Sequence, residues 1–152
     1  MVLANDHAGL SRSLRWLLER EDDLEVVAEA SDFDAALNEV GVQHPDVLVL
    51  DLRMPDGFDA ERIERLRTLS PGTEIVVTTM HANQTLAMQA LRAGAAGFVL
   101  ADSAERELVQ AVRRAGGGQA YMSPRLISLP ALRKNTDLVA GNDRMPGPRR
   151  VV

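Results

Sequence analysis

Short apolar runs of strand-favouring residues alternate five times with helical patterns, at about 20 to 25 residues per unit. This rhythm constrains the fold more than any other property of the chain. The runs are Met1–Ala4, Leu24–Ala30, Asp46–Leu50, Ile75–Thr79 and Gly97–Leu100. Apolar residues recur at helical spacing between them: Leu10, Leu14, Leu17 and Leu18 within Leu10–Arg20, and Ile63, Leu66 and Leu69 within Asp59–Leu69. Ser31 and Asp32 suit the cap of a helix running to about Gln43. Gly94 closes a helix over Gln84–Ala93. Asp102-Ser103-Ala104-Glu105 reads as a capping box opening a helix to about Ala115. Trp16 falls off the apolar stripe of its helix, so partial exposure is expected. Alternation of this kind implies a parallel sheet with helices on both faces and right-handed crossovers.

Three segments follow from the pattern. Residues 1–120 carry the alternation, and Gly116-Gly117-Gly118 ends its last helix. Residues 121–132 read as a short linker, with Met122-Ser123-Pro124 as a turn and Leu126, Ile127, Leu129 and Leu132 as one weak apolar cluster. Residues 133–152, rich in Gly, Pro and Arg and without periodicity, read as a disordered tail.

Composition narrows the function classes. Aromatic residues are 3% of the 152, so the core must be aliphatic, and with no cysteine there is neither a disulfide framework nor a thiolate metal site. No apolar run approaches the ~20 residues that span a bilayer. No secretory signal opens the chain either, so a cytoplasmic location without membrane contact is the expectation. The formal charge is −5, and residues 133–152 carry five basic and two acidic groups, a net +3, so the rest holds about −8. An acidic body argues against direct nucleic-acid contact. Of 17 basic residues, only Lys134 is a lysine.

The chemistry gathers where strands end. The run Val47-Leu48-Val49-Leu50 stops abruptly at Asp51, before a turn containing Pro55 and Gly57. Such a run reads as a strand buried on both faces, and open parallel sheets collect ligands at the carboxyl ends of their strands. With the first and third strands side by side, Asn5, Asp6 and Asp51 come together. Clustered oxygens of this kind suit a hard cation such as Mg²⁺, and an Asp beside it can act as a nucleophile toward a phosphoryl group. Thr79, ending the fourth strand, is placed to hydrogen-bond a phosphoryl oxygen. The structural alternative is that Asn5 and Asp6 merely cap the first helix.

The segments Val2–His7, Val47–Pro55, Ala90–Ala95 and Gly97–Leu100 together resemble the receiver domain of bacterial two-component response regulators, and Gly117–Pro124 resembles the exit from the NarL/FixJ (LuxR-type) receiver. The likeness covers about residues 1–125. It implies a flavodoxin-like (CheY-like) doubly wound sheet of five parallel strands in the order 2-1-3-4-5. It also implies a phosphoacceptor at Asp51, with Mg²⁺ held by Asp6, Asp51 and the backbone carbonyl of Arg53, and Asn5 as a weak or outer-sphere ligand. Thr79 and Phe98 match the switch pair. A sensor histidine kinase is the implied partner. A homodimer is implied through the fourth helix, fifth strand and fifth helix, or through the first and fifth helices.

Three departures stand beside these matches. Asn5 replaces one of two usual acids, Ala101 stands where a lysine is expected, and the loop Met54–Phe58 looks about two residues short. A methyl cannot stabilise phosphoryl charge as an ammonium does. The reading is therefore a signalling receiver, not an enzyme, with phosphorylation impaired or dispensable. No helix-turn-helix output follows within residues 126–152. A phosphorylation-independent ligand-binding or dimerisation scaffold is the alternative, with Met88, Leu91, Leu108 and Val112 as candidate apolar surface. A haloacid-dehalogenase-like phosphohydrolase ranks lower, because Arg53 occupies the position of its general acid. Neither G-x-G-x-x-G nor a Walker-type loop follows any strand.

Overall fold

The computed structural model describes residues 1–55, 57–127 and 150–152. The strands are β1 (Val2–Ala4), β2 (Ala28–Ala30), β3 (Val47–Asp51), β4 (Glu74–Thr79), β5 (Gly97–Leu100) and β6 (Tyr121–Met122). The helices are α1 (Ala8–Glu19), α2 (Phe33–Gln43), α3 (Ala60–Leu69), α4 (Gln84–Arg92), α5 (Ala104–Gly116) and the single turn α6 (Pro124–Ile127). All strand pairs are parallel, in the order β2-β1-β3-β4-β5-β6. The expected order 2-1-3-4-5 holds, but the sheet has six strands where five were expected.

Side-chain alternation divides the core in two, because successive residues of a strand face opposite ways. Leu48, Leu50, Ile75, Val77, Phe98 and Leu100 face α2, α3 and α4. Leu3, Val47, Val49, Val76 and Val99 face α1 and α5. Both layers are almost wholly aliphatic. The side chains of Leu108 and Val112, candidates for an exposed contact surface, are fully buried against the sheet, and Met88 and Leu91 pack partly buried on the other layer. Trp16 is 64% exposed, with the Arg20 guanidinium 4.7 Å over its ring.

Most helix starts follow the capping signals. Asp32 accepts from the Ala35 N–H at 2.8 Å, Asp59 from Glu61 at 2.9 Å, and Asn83 from Thr85 at 2.9 Å. The capping box at Asp102–Glu105 does not form. A 3₁₀ turn, Ala101–Ser103, leads into α5, and the Ser103 hydroxyl donates back to the Leu100 carbonyl at 3.2 Å. That turn already supplies a local backbone arrangement that a capping side chain would otherwise complete.

Three other expectations are corrected. The second strand spans only Ala28–Ala30, since β1 offers just Val2–Ala4 to pair with it. Met122, expected to open a turn with Ser123 and Pro124, instead ends strand β6: the Tyr121 N–H donates to the Ala96 carbonyl at 3.0 Å and the Ser123 N–H to Phe98 at 2.9 Å. Leu126, in the stretch expected to be a linker, is fully buried and packs with Met122 and Ile127 in the α2–α4 layer of the core. The expected disordered tail lies mostly outside the described residues, but Arg150–Val152 are ordered against the body. The Val151 N–H donates to Asp23 O at 2.8 Å, its carbonyl accepts from the Glu25 N–H at 3.1 Å, and Val151 is 2% exposed. Gly116 makes room for it, since a β-carbon there would lie 2.7 Å from Val151 Cγ2.

Candidate functional site at the carboxyl end of the sheet

Asp51 is the last residue of β3 and continues the alternation of Val47 and Val49. Ala4 pairs with Leu50, so the next residue of each chain, Asn5 and Asp51, sit side by side. The Asn5 N–H donates to the Ala30 carbonyl at 2.9 Å, which keeps the chain extended past the end of β1. Both side chains are buried, Asn5 at 6% and Asp51 at 2% exposure. Burying a carboxylate is costly unless it is paired and hydrogen-bonded, and here it is both.

Asn5 Nδ2 donates to Asp51 Oδ2 at 2.8 Å, while Asn5 Oδ1 accepts the His7 N–H at 2.7 Å. A backbone N–H can only donate, so this second bond fixes the amide with its nitrogen toward Asp51. The Arg53 backbone N–H donates to Asp51 Oδ1 at 2.8 Å. The Arg53 side chain then folds back over the same carboxylate, with Nη2 at 2.9 Å from Oδ2 and Nε at 3.3 Å from each oxygen. This contact holds the Arg53 guanidinium above its ordinary pKa: the hydrogen bonds to Asp51 dominate, desolvation opposes them, and the charges of Asp51 and Asp6 add to them.

The other expected residues occupy distinct places. Asp6 is exposed at the rim of an open cavity of about 490 Å³ that also includes Ser11, Arg12 and Glu29. Asn5 does not cap α1, and neither does Asp6; the His7 ring nitrogen does so, accepting from Leu10 N–H at 3.3 Å. Thr79 is buried at the end of β4, and its hydroxyl oxygen accepts the His81 N–H at 3.3 Å. In the register, Thr78 lies opposite Asp51 and Val77 opposite Phe98. Strand alternation therefore puts Thr79 and the fully buried Phe98 on one face as diagonal neighbours. Ala101 opens the 3₁₀ turn and lines a second cavity, of about 630 Å³, with Leu10, Trp16 and Ala104.

Sequence reasoning missed the Arg53 side chain, for which it assigned only a backbone carbonyl. The available signal was an arginine two residues after a buried strand-end acid in a chain with one distant lysine.

The donor set does not fit a divalent cation as arranged. Both Asp51 oxygens are engaged by a guanidinium and an amide N–H, and the Asn5 oxygen is turned to His7. Among the described residues no group of three or more His, Cys, Asp or Glu comes together.

A doubly wound parallel sheet with a buried acid at the end of β3 defines the class, and comparison with known proteins gives the family. Residues 1–113 match the response regulator receiver domain. The chain belongs to this family. It is 34% identical over 127 residues to the oxygen regulatory protein NreC of Staphylococcus carnosus, covering 83% of this chain and 58% of that one. It is 34% identical over 125 residues to the DNA-binding transcriptional activator DevR/DosR of Mycobacterium tuberculosis, covering 82% and 58%. The crystal structure of a LuxR-family two-component response regulator from Aurantimonas superposes with a TM-score of 0.81 at 33% identity, covering 88% of this chain and 96% of that one. The matched region thus spans a little over half the length of the curated relatives. The relatives are regulatory proteins, and receiver domains generally bind Mg²⁺ at the phosphorylation site. No described helix is long and apolar enough to cross a membrane.

Proposed function

We propose that the chain receives a phosphoryl signal at Asp51 within a two-component relay, with inefficient phosphorylation that its output does not strictly require. The observation that carries this is the Asp51 carboxylate, buried at the end of β3 yet already paired with the Arg53 guanidinium and hydrogen-bonded by Asn5. A phosphoryl donor from a sensor histidine kinase must displace the guanidinium before the carboxylate oxygen can attack phosphorus. Bond formation to that oxygen expels the donor's leaving group and yields an aspartyl phosphate. A metal ion, when bound in such a site, offsets charge on the phosphoryl oxygens. In this chain no side chain at position 101 adds to that.

The reading extends to the switch and the partner surface. Thr79, one residue beyond the Thr78 that pairs with Asp51, and Phe98 on the same face as Thr79 would act as the switch that relays a change at Asp51 toward α4, β5 and α5. The transcriptional control in the DevR/DosR name would reach this chain through a DNA-binding partner or segment, because an acidic body argues against a direct nucleic-acid contact. The expected setting is cytoplasmic. A second reading, a phosphorylation-independent homodimer through α1 and α5, is favoured by exposed Trp16 and Arg20 beside the larger cavity. Trp and Arg are enriched where interfaces draw most of their energy.

Incubation with Mg²⁺ and acetyl phosphate, read by intact mass and a sizing column against Asp51→Asn, tests both readings. A low-yield adduct absent from Asp51→Asn is expected, with any α1/α5 dimer persisting in that variant. An adduct of full yield would refute impairment, and an adduct surviving in Asp51→Asn would refute the phosphoacceptor assignment.

A further inference from the structure

The Arg53 side chain folds back over the Asp51 carboxylate, with Nη2 2.9 Å from Oδ2. Asp51 is 2% exposed, and three groups donate to it: the Arg53 backbone N–H, the Arg53 guanidinium and the Asn5 amide. The guanidinium is the only one that brings charge. Its side chain remains 35% exposed while the Asp51 side chain is 1% exposed, so one partner is fixed in the protein and the other borders solvent. Such a geometry holds the pair closed at rest yet lets the arginine swing out without disturbing the core.

We propose that Arg53 is the resident cation of this site, filling the neutralising role of a divalent ion and competing with any such ion for Asp51. Asn5 completes the arrangement. A second acid at that position would need more than one positive charge nearby, whereas an amide adds a hydrogen bond and no charge. The proposal builds on the phosphoacceptor reading for its consequence, that loading requires Arg53 to leave, but its central claim concerns cation occupancy alone.

Binding of Mn²⁺ to the full chain, followed by electron paramagnetic resonance, reads that occupancy directly. A hydrogen-bonded contact to a charged group of this kind corresponds to roughly a ten- to hundredfold effect on a competing equilibrium. Arg53→Ala is therefore expected to bind Mn²⁺ at least about tenfold tighter than the parent, and Asp51→Asn in that background to erase the gain. Arg53→Lys keeps the charge but loses the planar fork, so it should fall between the two. It also serves where loss of the arginine costs the Arg53→Ala fold, a loss that Mn²⁺ should then reverse. Equal affinity in parent, Arg53→Ala and Arg53→Lys would overturn the proposal, as would weaker binding in Arg53→Ala. Acetyl phosphate treatment of the same variants separates the two readings. No adduct in any variant, with metal affinity raised, would remove the phosphoacceptor reading and leave the resident cation. An Asp51 adduct with metal affinity unmoved would do the reverse.

Discussion

Replacing Asn5 by Asp should destabilise the metal-free protein and make its stability depend on divalent cations. The substitution exchanges the Nδ2 donor, 2.8 Å from Asp51 Oδ2, for a carboxylate oxygen. The lost hydrogen bond to a buried charge contributes about 1.5–3 kcal/mol. Two carboxylates about 4 Å apart repel by about 4 kcal/mol at an effective dielectric near 20. Arg53 remains to offset part of this, and one acid of such a pair takes up a proton instead of bearing the full repulsion. A net loss of about 3 kcal/mol follows, or ~6–12 °C in melting temperature for a domain of this size. The raised carboxyl pKa sets the sign of the pH dependence: the folded variant binds the shared proton more readily than the unfolded chain. Its deficit is therefore full at neutral pH and shrinks as pH falls. Urea unfolding followed by circular dichroism, in chelator and in millimolar Mg²⁺, measures both effects. The parent should be nearly indifferent to Mg²⁺, whereas Asn5→Asp should recover most of its loss. If the variant unfolds together with the parent in chelator, the electrostatic account of this site is wrong.

Further perturbations test the fold away from the site. Gly116→Ala places a methyl 2.7 Å from Val151 Cγ2, and Val151→Asp puts a charge in the same notch; each should release residues 150–152 and expose the Glu25 amide to hydrogen exchange, and unchanged protection there would refute the docking. The Gly116 change is informative because alanine in a helix is otherwise favourable by about 1 kcal/mol. Tyr121, the single tyrosine, has its phenol pushed up to about 12, first by burial and then by the charge and hydrogen bond of Glu107. The folded state thus prefers the protonated phenol, so this contribution is present below the unfolded value of about 10 and is lost as pH rises from there toward 12. Tyrosinate absorbance should titrate late and move earlier in Glu107→Gln, and an ordinary midpoint in the parent would contradict the buried placement.

The alternation of strands and helices and the place of Asp51 were legible because they depend on local pattern, whereas the sheet order came from the family resemblance. A run such as Val47–Leu50 is too apolar to face water on either side, and its abrupt end at an acid marks the strand terminus. What stayed hidden depends on partners distant in sequence. Tyr121–Met122 has no strand signature of its own, and becomes a strand because Gly97 and Phe98 offer an edge. Val151 is buried only because Gly116 lacks a side chain thirty-five residues earlier. The Asp102–Glu105 motif had the right residue types for a capping box but lost to the 3₁₀ turn ahead of it. At the site, sequence gave Arg53 a backbone role, since nothing in a linear pattern says that a long side chain will fold back onto an acid two residues before it.

The two departures at the site are best understood as one. The resemblance implies three acids and one lysine around the phosphoacceptor, a net charge of two minus, which a divalent cation balances. Here Asp51 and Asp6 oppose Arg53, leaving one minus, so a bound divalent ion would overshoot to one plus unless it displaced the guanidinium. Restoring a lysine at position 101 alone would bring the unloaded site to neutrality and weaken its hold on a divalent ion further. Restoring the acid at position 5 alone would recreate the demand for that ion. Loss of the acid and loss of the lysine therefore compensate each other in the unloaded state, and only together do they leave a buried carboxylate that is stable with Arg53 as its counter-ion. Phosphorylation at Asp51, as proposed, would add charge that this arrangement no longer anticipates, so a low yield is expected although the fold around Asp51 is intact.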